Sequence, residues 1–364
     1  LVDGTIEYML QLDYIIDSFS KTKVRKMKPF IRNLLRMSVY QIKYMDAVPD
    51  SAVCNEAVKL AKRHKFAQLS GFVNGVLRNI ARNIDSVQFD TLSIRYSMPQ
   101  WIVDRFVAAY GEKKAEEIFK AFHNKSTISI RTNLTRCTPD ELRATLEAEG
   151  VTVTAIDELN YAFVISGFDY LNGLQSFRDG LFYVQDISSM LVAQTAAPKK
   201  GDYVIDVCAA PGGKSTHIAE LLQGSGHVLA RDLTDNKVDM IEENIDRHGL
   251  NNMSAEVWDA TVFDADSAGK ADILICDLPC SGLGVLGRKK DIRYKMTPES
   301  VDELAALQRQ ILDTVHTYVK PNGVLVYSTC TIDEAENEDN VRWFIEKHPE
   351  FELDKSFAEG TGMK

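Results

Sequence analysis

YVIDVCAAPGGKSTHIAELL, residues 203–222, is an apolar run that ends in a glycine turn and opens into a helical pattern. A buried strand, a tight turn and a helix in that order make half of a βαβ unit. The same rhythm continues downstream. Strands are expected at HVLARD (227–232), SAEVWD (254–259), ADILICD (271–277) and GVLVYST (323–329). Helical patterns separate them, at NKVDMIEENIDRHG and ESVDELAALQRQILDTVHTYVK. Near-continuous apolar strands alternating with helices predict a doubly wound parallel sheet of Rossmann-like kind over 196–364. Such sheets take their ligands outside the carboxyl ends of the strands.

Working back from 203, the pattern changes twice. Residues 91–195 mix helices with short strands at STISIRTNL (126–134), AFVISG and GLFYVQD. CTPDELRATLEAEGV reads as a helix with Thr138 as its cap and Pro139 in first position. This predicts an α+β linking region. Residues 1–84 read as helix throughout, with Pro29 opening one helix and Pro49-Asp50-Ser51 offering a cap for another, which predicts a small helical bundle. The fold class is therefore multidomain, with 1–84, 91–195 and 196–364 as its three parts. The chain begins at Leu1, inside a helical pattern, which suggests a shortened amino end. It stops at Lys364 soon after FELD, where a sheet of this kind would take one more strand.

Charge is distributed unevenly. The whole chain has a formal net charge of −10. Residues 1–84 carry 14 Lys/Arg against 7 Asp/Glu, leaving 28 against 45 for the rest. KTKVRKMKPFIRNLLR (21–36) holds seven basic residues and no acidic one. A basic region on an acidic body fits a polyanion-binding module, with Lys21, Lys23, Arg25, Lys26, Lys28 and Arg32 as phosphate contacts. A solvated helix face is the plainer alternative. No apolar run reaches the ~20 residues of a membrane helix. Six cysteines in 364 residues are too sparse for a disulfide framework and favour the cytoplasm. There is no CxxC pair and no cluster of the seven histidines, so no metal site is expected.

The first strand's turn, DVCAAPGGKS, has Cys208 where a phosphate-binding P-loop needs glycine. Asp232 ends the second strand, 19 residues after Gly213, where an acid can accept both hydroxyls of a ribose. A helix cap for Thr234 onward is its plainer role. Asp259 ends the third strand, where an adenine amino group could be met. Three strand-end acids and a glycine turn suit a nucleoside without a polyphosphate, and S-adenosylmethionine is such a ligand. NAD goes with G-x-G-x-x-G, which is absent.

Two further strands empty into cysteine turns, ADILICDLPCSGLG (271–284) and VLVYSTCTIDEAEN (324–337). Lone cysteines are usually small buried hydrophobes, which suits Cys54, Cys137, Cys208 and Cys276. Cys280 and Cys330 sit instead in polar turns at strand ends. A thiolate beside a methyl donor suits C5 of a pyrimidine. Thiolate addition to C6 makes C5 nucleophilic, and a carboxyl group near N3, here Asp277, assists. The target base must be unstacked to be reached. These residues alone do not rank the two cysteines.

Taken together, DVCAAPGGKS, Asp232, Asp259, DLPCSGLGV and YSTCTIDEAEN resemble the RNA cytosine-5 methyltransferases of the NOL1/NOP2/Sun family over about 180–350. The turn usually reads D-A-P-C-S-G, and Leu278 stands here in place of alanine. The resemblance implies a cofactor set of Cys208, Ala209, Pro211, Gly212, Gly213, Lys214, Asp232, Lys237, Asp259 and Asp277. It implies Cys330 as nucleophile and Cys280 in product release. VPDSAVCNEAVKLAKRH with GFVNGVLRNI resembles the RNA-binding domain of the antitermination factor NusB. IRTN and FYVQDISSMLVA resemble the segment that links it to the catalytic domain, which adds Arg131 and Asn133 as RNA contacts. The three-part order is similar to bacterial small-subunit rRNA methyltransferases, which implies a monomer acting on one cytosine of 16S rRNA before the mature ribosome forms. A tRNA or large-subunit rRNA substrate, or a non-catalytic RNA-binding adaptor, are the alternatives.

Overall fold

The computed structural model describes residues 1–124 and 127–355. They form two compact units, Leu1–Asn124 with Leu283–Pro298, and Lys125–Gly282 with Glu299–Lys364. Among the described residues no helix is long and apolar enough to cross a membrane.

The first unit is helical, as its periodicity predicts: α1 (Val2–Glu7), α2 (Met9–Phe19), α3 (Pro29–Tyr44), α4 (Asp50–Arg63), α5 (Ser70–Asn83), α6 (Leu92–Arg95), α7 (Gln100–Tyr110) and α8 (Glu112–Phe122). Pro29 opens α3, where its missing N–H costs nothing. Leu12, Ile15, Ile31, Leu35, Val73 and Leu77 close a core between α2, α3 and α5. Helix α4 begins at Asp50 behind Pro49, and no side chain caps it, contrary to the expected Ser51 region cap. Helices α6–α8, expected in the linking region, fall within this unit.

The second unit holds two sheets. The first combines β1 (Ile128–Thr132), α9 (Pro139–Ala148), β2 (Thr152–Ile156), β3 (Leu159–Ser166), α10 (Gln175–Arg178) and β4 (Phe182–Val184). Its strand order is β2-β3-β1-β4, all antiparallel. Thr138 and Glu141 make a reciprocal capping box at the start of α9, as the sequence predicts. Strand β2 is a strand the sequence reading missed. Of the predicted strand 126–134, Ser126 lies outside the described residues.

The second sheet follows α11 (Ile187–Ala196). It is built from β5 (Tyr203–Asp206), α12 (Gly213–Leu221), β6 (His227–Asp232), α13 (Asp235–His248), β7 (Met253–Val257) and β8 (Ala271–Asp277). The chain then passes through α14 (Ile292–Lys295) in the first unit and returns as α15 (Pro298–Val315), β9 (Val319–Ser328) and α16 (Glu338–Lys347). All pairings are parallel, in the order β7-β6-β5-β8-β9. Alternate residues bury into opposite faces. Val204, Ile273 and Ile275 join one core, and Ile205, Leu274 and Cys276 join the other. The order of strands reverses between β5 and β8, which makes their carboxyl ends the expected ligand crevice.

The passage through the first unit is firmly held there. Arg293 is fully buried, and its Nη2 donates to Leu286 O at 3.0 Å. Lys290 Nζ meets Glu7 Oε2 at 2.5 Å, and His123 Nδ1 lies 3.0 Å from the other Glu7 oxygen.

Candidate active site

The glycine turn comes first. Gly212 has φ of 101°, a left-handed conformation that costs a residue with a Cβ roughly 1–2 kcal/mol. A Cβ there would also lie 3.4 Å from Ile241 Cγ2. This turn ends the loop that carries the chain from β5 into α12, and no side chain caps the helix. The amides of its first turn are thus available to a ligand's anionic group. The turn is buttressed from outside the sheet. Tyr183 OH lies 3.3 Å from Pro211 O, Asn244 Nδ2 donates to the same oxygen at 2.9 Å, and Gln185 Nε2 donates to Gly213 O at 3.1 Å. None of these three was evident from sequence, because each meets the turn only through a backbone carbonyl.

Asp232 ends β6 as expected and is 3% exposed. It is no helix cap: Oδ2 accepts from Ala210 N at 2.9 Å, and Oδ1 accepts from Leu233 N and from Lys237 Nζ, both at 2.8 Å. It therefore ties the glycine turn to the end of β6, with Lys237 beside it. Asp259 lies two residues past the end of β7 rather than at it, and is exposed. Its Oδ1 accepts from Thr261 N and Oγ1. Asp206, at the end of β5, is fully buried. Burial pushes its carboxyl up to about 7, against hydrogen bonds from Ser215 Oγ at 2.5 Å and Cys208 N.

The uncapped helix start, the left-handed glycine and the strand-end carboxylate of Asp232 fit S-adenosylmethionine. Cys208, Ala209, Pro211, Gly212, Gly213 and Lys214 line the turn, and Asp232, Lys237, Asp259 and Asp277 follow along the strand ends. Cys208 is half-buried, and its thiol is raised by burial and by Asp206 and Asp232. It is therefore an uncharged wall, not a nucleophile.

Asp277 ends β8, opposite Ser328 at the end of β9. Lys214 Nζ lies 2.5 Å from its Oδ2, and Ser328 Oγ donates to its Oδ1 at 2.8 Å. The cysteine turns follow at once. Cys280 Sγ and Cys330 Sγ are 3.2 Å apart, and Cys330 N donates to Cys280 Sγ at 3.3 Å. Cys330 is exposed and Cys280 half-buried. The neighbouring Cys330 thiol and burial together hold the Cys280 thiol well above its usual range. Cys54 and Cys276 are buried as expected, and Leu278 packs into the core with Cys276.

Below the turns lies a polar cluster absent from the sequence reading. Glu336, Gln308 and Asn340 are fully buried, with Ser281 and Thr331 nearly so. Glu336 Oε1 accepts from Ser281 N at 2.8 Å and Gln308 Nε2 at 3.0 Å, while Ser281 Oγ donates to Glu336 Oε2. Gln308 Nε2 also donates to Pro279 O at 2.8 Å.

Two expected RNA contacts are corrected. Arg131 and Asn133 are fully buried and face no solvent. Arg131 pairs with Glu220, donates to Gln185 Oε1 at 2.8 Å and to Thr216 Oγ1 at 3.2 Å. Asn133 Nδ2 donates to Gly180 O at 2.9 Å. Both are struts between the antiparallel sheet and the elements around α12 and α13. By contrast Lys21, Lys23, Arg25, Lys26 and Lys28 are exposed on the connection from α2 to α3, with Arg32 half-buried. Among the described residues Asp313, His316 and His348 lie close enough to share an ion. Lys347 Nζ, 2.8 Å from Asp313 Oδ1, already supplies the cation.

The parallel sheet with its glycine turn and strand-end acids defines an S-adenosylmethionine-dependent methyltransferase. Family models match in three stretches: NusB family over 1–82, a ferredoxin-like domain of RsmF/B-like methyltransferases over 98–168, and 16S rRNA methyltransferase RsmB/F over 193–364. A Bacillus subtilis (strain 168) protein named "Probable ribosomal RNA small subunit methyltransferase B" is 39% identical over 98% of this chain and 81% of its own length. A Synechocystis protein of the same name is 32% identical over 96% of this chain and 80% of its own length. The solved structure of PH0851 superposes with a TM-score of 0.84 at 26% identity, covering 96% of this chain and 80% of that one. NSun6 from Pyrococcus horikoshii, solved with SFG, gives 0.63 at 26% identity, over 68% of this chain and 87% of that one. The chain belongs to the RsmB/F family of 16S rRNA methyltransferases, and its methyl donor is S-adenosylmethionine.

Proposed function

We propose that the chain methylates C5 of one cytosine in 16S rRNA, with Cys330 as nucleophile and Cys280 in release. The observation that carries this reading is the pair of thiols 3.2 Å apart, next to a carboxylate paired with an ammonium. The Cys330 thiolate bonds to C6 of an unstacked cytosine, and the C5–C6 π electrons move onto C5. Lys214, through Asp277, supplies the proton that N3 takes up as negative charge reaches it, and the same path takes that proton back when the C5–C6 double bond re-forms. S-adenosylmethionine, when bound, supplies an electrophilic methyl group. C5 takes that methyl, a base takes the C5 proton, and the C6–S bond breaks. The Cys330 sulfur leaves as a thiolate, and the Cys280 thiol 3.2 Å away steadies that charge by a hydrogen bond.

The test uses Cys280→Ala protein with 16S rRNA and S-adenosylmethionine on a denaturing gel. The expected result is a protein–RNA adduct that disappears in Cys280→Ala/Cys330→Ala. An adduct that persists in Cys330→Ala and needs Cys280 reverses the roles. No adduct with naked 16S rRNA, assembled 30S subunits or tRNA overturns the covalent route.

A further inference from the structure

We propose that Glu336 is a positioning residue that clamps the two cysteine turns together and so sets the spacing of their thiols. The inference rests on the reading above, in which Cys330 and Cys280 act in turn on one base.

Glu336 belongs to neither turn. It lies in a short 3-10 turn, Glu334–Glu336, between β9 and α16. Its carboxylate is fully buried, and each hydrogen bond that reaches it comes from a neutral group: Ser281 N, Ser281 Oγ and Gln308 Nε2. Burying a carboxylate is expensive unless its hydrogen bonds are well made, and an apolar residue would cost the fold less. What the carboxylate gains is a grip on one peptide. Ser281 N is the first amide after Cys280, so one bond holds the Cys280–Ser281 peptide and a second holds the Ser281 side chain beside it.

The other turn is tied to the same point. Ser281 Oγ lies 3.0 Å from Thr331 Oγ1, and Thr331 follows Cys330 directly. Thr331 Oγ1 in turn accepts from Asp333 N at 3.2 Å, three residues before Glu336. The Glu336 carbonyl accepts from Tyr327 OH, on the strand that delivers Cys330. Gln308 holds Pro279 O from the far side, and Asn340 Nδ2 donates to Gln308 Oε1 at 2.7 Å. Pro279, Ser281 and Thr331 thus return to Glu336 within two hydrogen bonds, while Asn337 holds Thr329 Oγ1 at 2.7 Å and Thr331 O at 3.1 Å.

Glu336→Gln tests this at almost constant volume. The new amide nitrogen cannot accept from Ser281 N or Gln308 Nε2 and meets Ser281 Oγ only if that hydroxyl turns to accept, and the charge-assisted bonds become neutral ones, so the clamp weakens. Thiol spacing is read directly with diamide, which takes two hydrogens and two electrons from the Cys280–Cys330 pair and leaves a disulfide. Peptide mass mapping identifies that pair among the six cysteines. Glu336→Gln is expected to slow Cys280–Cys330 disulfide formation about tenfold or more, with S-adenosylmethionine affinity unchanged, since proximity governs such intramolecular steps. Adduct formation in a Cys280→Ala background slows with it. A disulfide rate equal to wild type in the folded variant overturns the proposal. If Glu336→Gln does not fold, Ser281→Ala decides in the same way, because it deletes the hydroxyl's bonds to Glu336 and Thr331 and leaves the peptide amide. The diamide readout needs no RNA. A slowed disulfide with no adduct on any RNA therefore keeps the clamp and overturns the cytosine reading alone.

Discussion

The sulfur of Cys280 lies 3.2 Å from that of Cys330, and the backbone N–H of Cys330 points to the same sulfur. Two parallel neighbours, β8 and β9, bring residues fifty positions apart to one point. The Cys330 thiol is the largest cause of the raised Cys280 thiol, ahead of burial. Removing it in Cys330→Ala is expected to lower the Cys280 pKa. At pH 8 iodoacetamide should then label Cys280 faster, by about tenfold for each unit of decrease. Equal labelling rates in wild type and variant would show that burial alone sets Cys280.

Arg131 offers a test of stability rather than chemistry. Its guanidinium and the Glu220 carboxylate are both buried, so removing one leaves an uncompensated charge. Arg131→Met is expected to cost about 3–5 kcal/mol in urea unfolding, and Arg131→Met/Glu220→Leu should recover most of it. RNA affinity per folded molecule should stay within about twofold, the surface charge being untouched. A folded Arg131→Met protein that loses RNA binding would restore the arginine as an RNA contact.

Much of this was legible in the sequence. Near-continuous apolar runs separated by helical patterns placed all five strands of the parallel sheet, because strands buried on both faces leave no choice of composition. DVCAAPGGKS and the strand-end acids Asp232 and Asp277 fell where the topology puts ligands. What escaped was whatever depends on long-range partners. Arg131 and Asn133 are polar residues in IRTN, and only distant partners bury them, Glu220 and Thr216 of α12 for Arg131, Gly180 and His248 for Asn133. Glu336 reads as one acid in an acidic stretch, since nothing local marks a carboxylate that turns inward. Helices α6–α8 carry ordinary amphipathic patterns that do not say which core they join.

Asp206 makes stability depend on pH. Its folded pKa of about 7 lies above the ordinary 3.8, with burial the main cause. Below about pH 4 both folded and unfolded chains hold this proton. Between about 4 and 7 only the folded chain does, so stability is lost as pH rises, by at most about 4 kcal/mol. Above 7 the contribution is flat. Asp206→Asn carries no such proton. The unfolding free energy of wild type minus that of Asp206→Asn should therefore fall from pH 5 to 7 and then level off. A difference that stays constant or rises with pH would show that the carboxylate ionises in the fold at its ordinary pH.

The last prediction concerns the connection from α2 to α3. Lys21, Lys23, Arg25, Lys26 and Lys28 are exposed within eight residues, while nearby Arg36 is held by both oxygens of Asp13. A basic loop of this kind meets phosphates as a set, and each phosphate neutralised releases a counterion. Replacing all five with glutamine should lower the slope of log affinity against log salt by about 4 and weaken RNA binding most at low salt. The variant should keep its melting temperature within a few degrees, because exposed side chains contribute little to folding. S-adenosylmethionine affinity should not change, since the residues proposed to hold it belong to the other unit. Arg36→Gln is the control: it breaks an ion pair within the bundle and should lower the melting temperature without moving the salt slope. An unchanged slope in the five-residue variant would reduce the basic segment to a solvated surface and move the RNA contact elsewhere.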